Sequence, residues 1–203
     1  MCSRYQPAAP HSLSRWGLPP PDFAYGEAYP GMAAPLLTNA EPARWTRATF
    51  GLMPHWAKPT LFRQTYNARS ETVGEKPSFR NAWKRLQLCV IPADAFYEPN
   101  YESGRAVPWR IERPDGACFG LAGIWERVER AGETSWSFAM LTINADEHPL
   151  MRRFHKPDHE KRSIVILPDT HWRSWLASTS IEEARQLLTP FDPDLMQASA
   201  SIS

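Results

Sequence analysis

From Leu86 onward, apolar residues either alternate with polar ones or gather in short runs, and the spacing predicts strands rather than long helices. Leu86–Ile91 is an apolar run that Pro92 should stop. Val107–Glu112 alternates, and Arg113-Pro114-Asp115-Gly116 reads as a turn, with proline preset for its first corner and glycine free to take φ > 0. Ala117–Trp125 returns as a strand, Arg130–Glu133 turns the chain again, and Trp136–Asn144 forms a third strand. Ser163–Leu167 is a β-branched run ended by Pro168. Hairpins joined by short turns are antiparallel logic.

Helices are expected around the sheet. Ser78 can cap a short one carrying Phe79 and Trp83. Asp169 or Thr170 can cap one with Trp172, Trp175 and Leu176 on one face. Ser180 and Glu183 are spaced as a capping box for residues 181–188. Residues 7–46, rich in proline and alanine, read as an extended, loop-heavy arm with at most one short helix or strand, and a second proline-punctuated stretch runs from Phe50 to Thr65. The expected fold is α+β: curved antiparallel sheets forming a barrel-like core with peripheral helices. One domain should span 1–203, with 191–203 as a loose tail.

Composition bounds this picture. A chain of 203 residues with 42% hydrophobic residues and nine Trp can bury a core. No apolar run approaches the ~18–20 residues that span a bilayer, and the start lacks a secretory pattern. Three cysteines without a CxxC argue against a disulfide framework or structural zinc and suit a reducing cytosol. Cys89 and Cys118 lie in apolar strands and read as core. No cofactor or metal is expected, and the chain should act as a monomer. With a net charge of +1, any nucleic-acid contact must come from a local basic face.

The candidate chemistry starts at Cys2. If Met1 is removed, Cys2 carries a free α-amine beside a thiol. The amine can condense with an aldehyde and the thiol can then close a thiazolidine ring. Ordinary pKa values of about 7.7–8.0 and about 8.5 leave useful fractions of both nucleophiles near neutrality. Asn67, Arg69 and Glu71 alternate in a segment with no hydrophobic face, which equally fits a solvated loop. Glu98 follows Phe96-Tyr97, where aromatic burial would raise its pKa toward neutrality, although a surface acid at a turn has the same sequence. His155 precedes an apolar strand, with His159 and His148 as neighbouring alternatives. Arginines at 4, 63, 69, 80, 85, 152, 153 and 162 interleave with Trp56, Phe79, Trp83 and Phe154. Cations and ring faces together suit single-stranded nucleic acid, and a solvated basic face is the competing reading.

Six segments in order carry a resemblance: Met-Cys-x-Arg-Tyr at the start, Gly-Leu-x-Pro-x-Trp from Gly51, Asn-Ala-Arg-Ser-Glu-Thr from Asn67, Pro-Ala-Asp-x-Phe-Tyr-Glu ending at Glu98, Thr-x-x-Ala from Thr142, and the late His155 before an apolar strand. Together they resemble the SRAP (SOS-response-associated peptidase) family, whose members shield abasic sites in DNA. The resemblance implies that Cys2 crosslinks to the ring-opened sugar of an abasic site in single-stranded DNA. It implies that Asn67 holds the sugar or the amino terminus, that Glu98 relays the amine proton, and that His155 opens the hemiacetal. Arg4, Arg69, and Arg80 or Arg85 would bind phosphates, with Arg162 on the same basic face, Trp56 beside the DNA path and Thr142 lining the pocket. It places the protein in the cytoplasm, on the nucleoid when bound to DNA. Two departures stand out: Ser3 replaces the family's usual glycine, and Pro99 its usual tryptophan. The alternatives are a cysteine autopeptidase or amidase using Cys2, and a non-covalent single-strand binder.

Overall fold

A computed structural model describes residues 2–23 and 25–201. Its strands are β1 (Tyr5–Pro7), β2 (Ala33–Thr38), β3 (Glu41–Phe50), β4 (Asn67–Arg69), β5 (Leu88–Asn100) and β6 (Val107–Glu112). They continue as β7 (Phe119–Arg130), β8 (Glu133–Asn144), β9 (Arg162–Ile164), β10 (Ile166–Leu167) and β11 (Gln197–Ala200). Short helices α1 (Pro10–Leu13), α2 (Arg80–Lys84), α3 (Trp172–Leu176) and α4 (Ile181–Gln186) pack outside. None of the described helices is long and apolar enough to cross a membrane.

Five strands close into a barrel in the order β7-β8-β3-β2-β5, with β5 pairing back to β7. The barrel-like α+β expectation holds, but closure is not purely antiparallel: β8 runs parallel to both β3 and β4. The wall is buried on both faces, and this explains why its strands read as continuous apolar runs. Cys89, Ile91, Phe119, Leu121, Phe138 and Met140 join one core cluster. Their neighbours Leu88, Val90, Ala122, Ile124, Ala139 and Leu141 join a second, under Trp83 and Trp175. Gly123 is required where three strands meet, because a Cβ there would lie 2.7 Å from the Ala139 carbonyl. The β7–β8 hairpin turns through Ala131 and Gly132, both at positive φ, the pairing that matches strand twist.

Several expectations need correction. Residues 33–46 are not part of an arm; they build most of the β2–β3 hairpin of the barrel. Pro35 is accommodated because β5 pairs with β2 only at Leu37 and Thr38. Pro92 does not stop its strand, for β1 slips register beside it and its carbonyl still accepts from Ala8 N–H at 3.1 Å. The run 163–167 divides, with β9 pairing to β8 and β10 to β7. Phe79 rather than Ser78 precedes α2, and His171 precedes α3, neither with a side-chain cap. Asp169 instead pairs with Arg15 and Arg113. Ser180 does cap α4, accepting from Glu183 N–H at 3.1 Å. The expected tail is tied down: Phe191 and Met196 are buried, and β11 extends the sheet along β6.

Candidate active site

The barrel brings the amino terminus to one place. Strand β1 lies antiparallel to β5, with Tyr5 opposite Phe96, and Tyr97 N–H donates to the Arg4 carbonyl at 3.0 Å. That register carries Cys2 alongside Glu98. Cys2 is fully buried, and its thiol donates to the Arg4 carbonyl at 3.1 Å. Strand β4, parallel to β8, presents Asn67, whose Nδ2 donates to the Cys2 carbonyl at 2.7 Å. The other amide atom, Asn67 Oδ1, is buried and accepts no hydrogen bond among the described residues. Met1 itself lies outside the described residues.

Glu98 is 2% exposed, and its Oε2 stands 3.4 Å from His155 Nε2. Burial pushes the Glu98 carboxyl up to about 7 and pulls the His155 imidazole down to about 4. Near neutrality the pair is therefore a neutral imidazole beside a carboxyl that exists in both protonation states. Burial, reinforced by the Glu98 charge, pushes the Cys2 thiol up to about 12. His155 adopts the left-handed backbone region at φ 64°, unusual outside glycine and often found where function fixes a side chain. Its N–H donates to the Pro99 carbonyl at 2.8 Å, one residue beyond Glu98. Beside it opens a pocket of about 470 Å³ lined by Tyr66, Arg69, His155, His159, Glu160 and Arg162. His159 is exposed on this rim, while His148 is buried elsewhere, accepting from two backbone N–H groups.

A family model described as SOS response associated peptidase (SRAP) matches residues 1–201. This chain belongs to the SRAP family. It is 32% identical over 168 residues to abasic site processing protein YoaM of Bacillus subtilis, covering 80% of this chain and 70% of that one. It is 25% identical over 167 residues to abasic site processing protein HMCES of Gallus gallus, covering 70% of this chain and 48% of that one. A crystal structure of a Bordetella bronchiseptica protein superposes with a TM-score of 0.90 at 37% identity, covering 100% of both chains.

The other expected site residues of this SRAP domain fall into three groups. Arg4 and Arg69 are accessible but already paired. Arg4 makes a two-pronged bond to Glu27 at 2.8 and 3.1 Å and lies 4.0 Å over the Tyr97 ring. Arg69 bonds Glu160 at 2.7 Å. Arg162 and Thr142 are internal: Arg162 is 3% exposed, forks onto Glu71 at 2.8 and 2.9 Å, and donates to the Thr142 carbonyl and hydroxyl. Only the edge of Arg162 reaches the pocket, where Glu160 also holds it at 2.8 Å. Trp56, Arg80 and Arg85 are exposed but do not line that pocket, and Arg85 is paired with Glu126. Glu27, in the segment expected to be an arm, carries no sequence signal of its role, and Glu160 and Lys161 signal nothing until the 155–161 loop is folded.

Proposed function

We propose that this protein recognises abasic sites in single-stranded DNA and captures them covalently through Cys2 once Met1 has been removed. One arrangement carries the reading: Asn67 pins the Cys2 carbonyl at 2.7 Å while Glu98 and His155 face each other at 3.4 Å beside it. The family relationship and the names of its relatives support the choice of lesion.

The chemistry follows from these groups. The closed sugar of an abasic site hides its aldehyde. Neutral His155 takes the proton of the C1′ hydroxyl and passes it to the ring oxygen, and the chain form is released. The Cys2 amine adds to C1′; Glu98 carries the two amine protons in turn to the former carbonyl oxygen, leaving an imine and water. The thiol then adds to the same carbon, its proton passing to the imine nitrogen, and the thiazolidine is complete with one water lost overall. Fixing the nucleophile by its own carbonyl makes these steps effectively intramolecular. A thiol pushed up to about 12 weighs against a peptidase working through a free thiolate, which needs the opposite shift.

His155→Ala should slow adduct formation about 100-fold without abolishing it, measured as single-turnover gel shift on an abasic oligonucleotide. An unchanged rate would move the role to His159. Phosphate binding at Arg69 must displace Glu160, since that carboxylate already occupies the guanidinium. Glu160→Gln should therefore tighten binding to single-stranded DNA about 3-fold at low salt, the gain fading as salt rises. Fluorescence anisotropy with an undamaged oligonucleotide reads this directly.

A further inference from the structure

The left-handed backbone of His155 is held from both sides. On its amide side the N–H is fixed to Pro99 O at 2.8 Å. On its carbonyl side Lys161 Nζ donates to His155 O at 3.2 Å and to Lys156 O at 2.9 Å. One ammonium thus gathers two successive carbonyls at the base of the loop. The loop does not need this side chain in order to close. Lys161 N–H donates to Asp146 Oδ1 at 2.8 Å, and its carbonyl accepts from Ala145 N–H at 2.8 Å. The main chain at 161 is anchored already, and the ammonium adds a separate constraint aimed at residues 155 and 156. Bonds from a charged donor are the stronger kind, suited to holding a conformation that L-residues rarely adopt.

We infer that Lys161 is a positioning residue for His155: its ammonium clamps the carbonyls of His155 and Lys156 and so keeps the imidazole facing Glu98. The inference rests on the proposed role of His155. The charged and titratable groups around that ring are Glu98 on β5 and Lys161 and His159 on its own segment, with Tyr66, Arg69, Glu160 and Arg162 lining the pocket beside it. Lys161 contributes a nearby positive charge as well as order, and that charge disfavours a protonated imidazole.

The test compares wild type with Lys161→Met and Lys161→Arg. Single-turnover adduct formation is measured at saturating abasic oligonucleotide, so that weaker DNA binding does not enter. In parallel, the His155 ring is titrated by NMR, its signal assigned by its loss in His155→Gln. Lys161→Met should slow the reaction about 10-fold, as expected of a side chain displaced by a fraction of an ångström, and the His155 titration should move to higher pH. Lys161→Arg, which can donate to both carbonyls, should stay within about 3-fold of wild type. If Lys161→Met does not fold, Lys161→Gln, which keeps one amide donor, replaces it with the same expectations at smaller size. A rate and a titration both unchanged in the Met or Gln variant would overturn the inference, as would a loss that arginine fails to restore. If wild type forms no adduct at all, the proposed reaction fails, yet the NMR titration still decides whether Lys161 sets the state of His155.

Discussion

Cys2→Ser should abolish the heat-stable adduct with an abasic oligonucleotide while leaving affinity for single-stranded DNA within about 2-fold. The hydroxyl can still donate to the Arg4 carbonyl that now accepts from the thiol, and the Asn67 bond to the residue 2 carbonyl does not involve the side chain. Fold and amine are both retained, so the variant isolates the sulfur. Its amine can still form the imine, but a serine hydroxyl is a far poorer nucleophile toward it and ring closure fails. The imine then persists, and an imine at C1′ acidifies the protons on C2′. Strand cleavage by β-elimination should therefore rise in Cys2→Ser as the stable adduct disappears. Denaturing gels resolve both products in one experiment. A heat-stable adduct of wild-type yield would show that another nucleophile does the work.

Glu98→Gln should lower the rate of adduct formation about 100-fold at neutral pH, because an amide cannot carry the proton between amine and hydroxyl. The wild-type rate should rise through an inflection near the Glu98 value of about 7 as the carboxylate forms, and the variant should lack that inflection. Stability gives an independent reading. Between about 4.5 and about 7 the folded protein keeps a proton on Glu98 that the unfolded chain has lost, so this group lowers stability as pH rises. Between about 4 and about 6.5 the unfolded chain carries a proton on His155 that the folded protein excludes, so this group raises stability as pH rises. The two slopes oppose each other across nearly the same window. Wild-type stability should be almost independent of these groups there. Glu98→Gln should expose the His155 slope, a rise in stability with pH that levels off near about 6.5, and His155→Gln should expose the reverse slope. Urea denaturation at a series of pH values measures both. Parallel curves for all three proteins would mean that the two groups titrate normally.

Much of this arrangement was legible from the residues because it is local or alternating. The turns at 113–116 and 130–133 carry their own proline and glycine chemistry, and the strands between them announce themselves by apolar content. The barrel hairpin of β2 and β3 was not legible, because Pro35 and Pro42 mask a pattern that only its neighbours' register makes tolerable. The burial of Phe191 and Met196 was missed because the prolines and aspartates beside Phe191, and the alanine and serine after Met196, look unstructured. At the site, Cys2, Asn67, Glu98 and His155 were nominated by motif, and the long-range pairings β1–β5 and β4–β8 bring them together. No periodicity reports such pairings. Arg162 was read as part of a DNA-binding basic face because an arginine in sequence carries no sign of its partners; the fold surrounds it with Glu71, Glu160 and Thr142. Lys161 was invisible for the same reason, since its target is two backbone carbonyls.

The central claim is that a mature chain beginning at Cys2 closes a ring on the sugar of an abasic site. Mass spectrometry of the purified adduct after proteolysis tests it most directly. The account predicts an amino-terminal peptide that lacks Met1 and carries the sugar remnant at Cys2, with one water lost and neither the amine nor the thiol free to alkylate. A peptide that retains Met1, or a remnant attached to a lysine elsewhere, would contradict it.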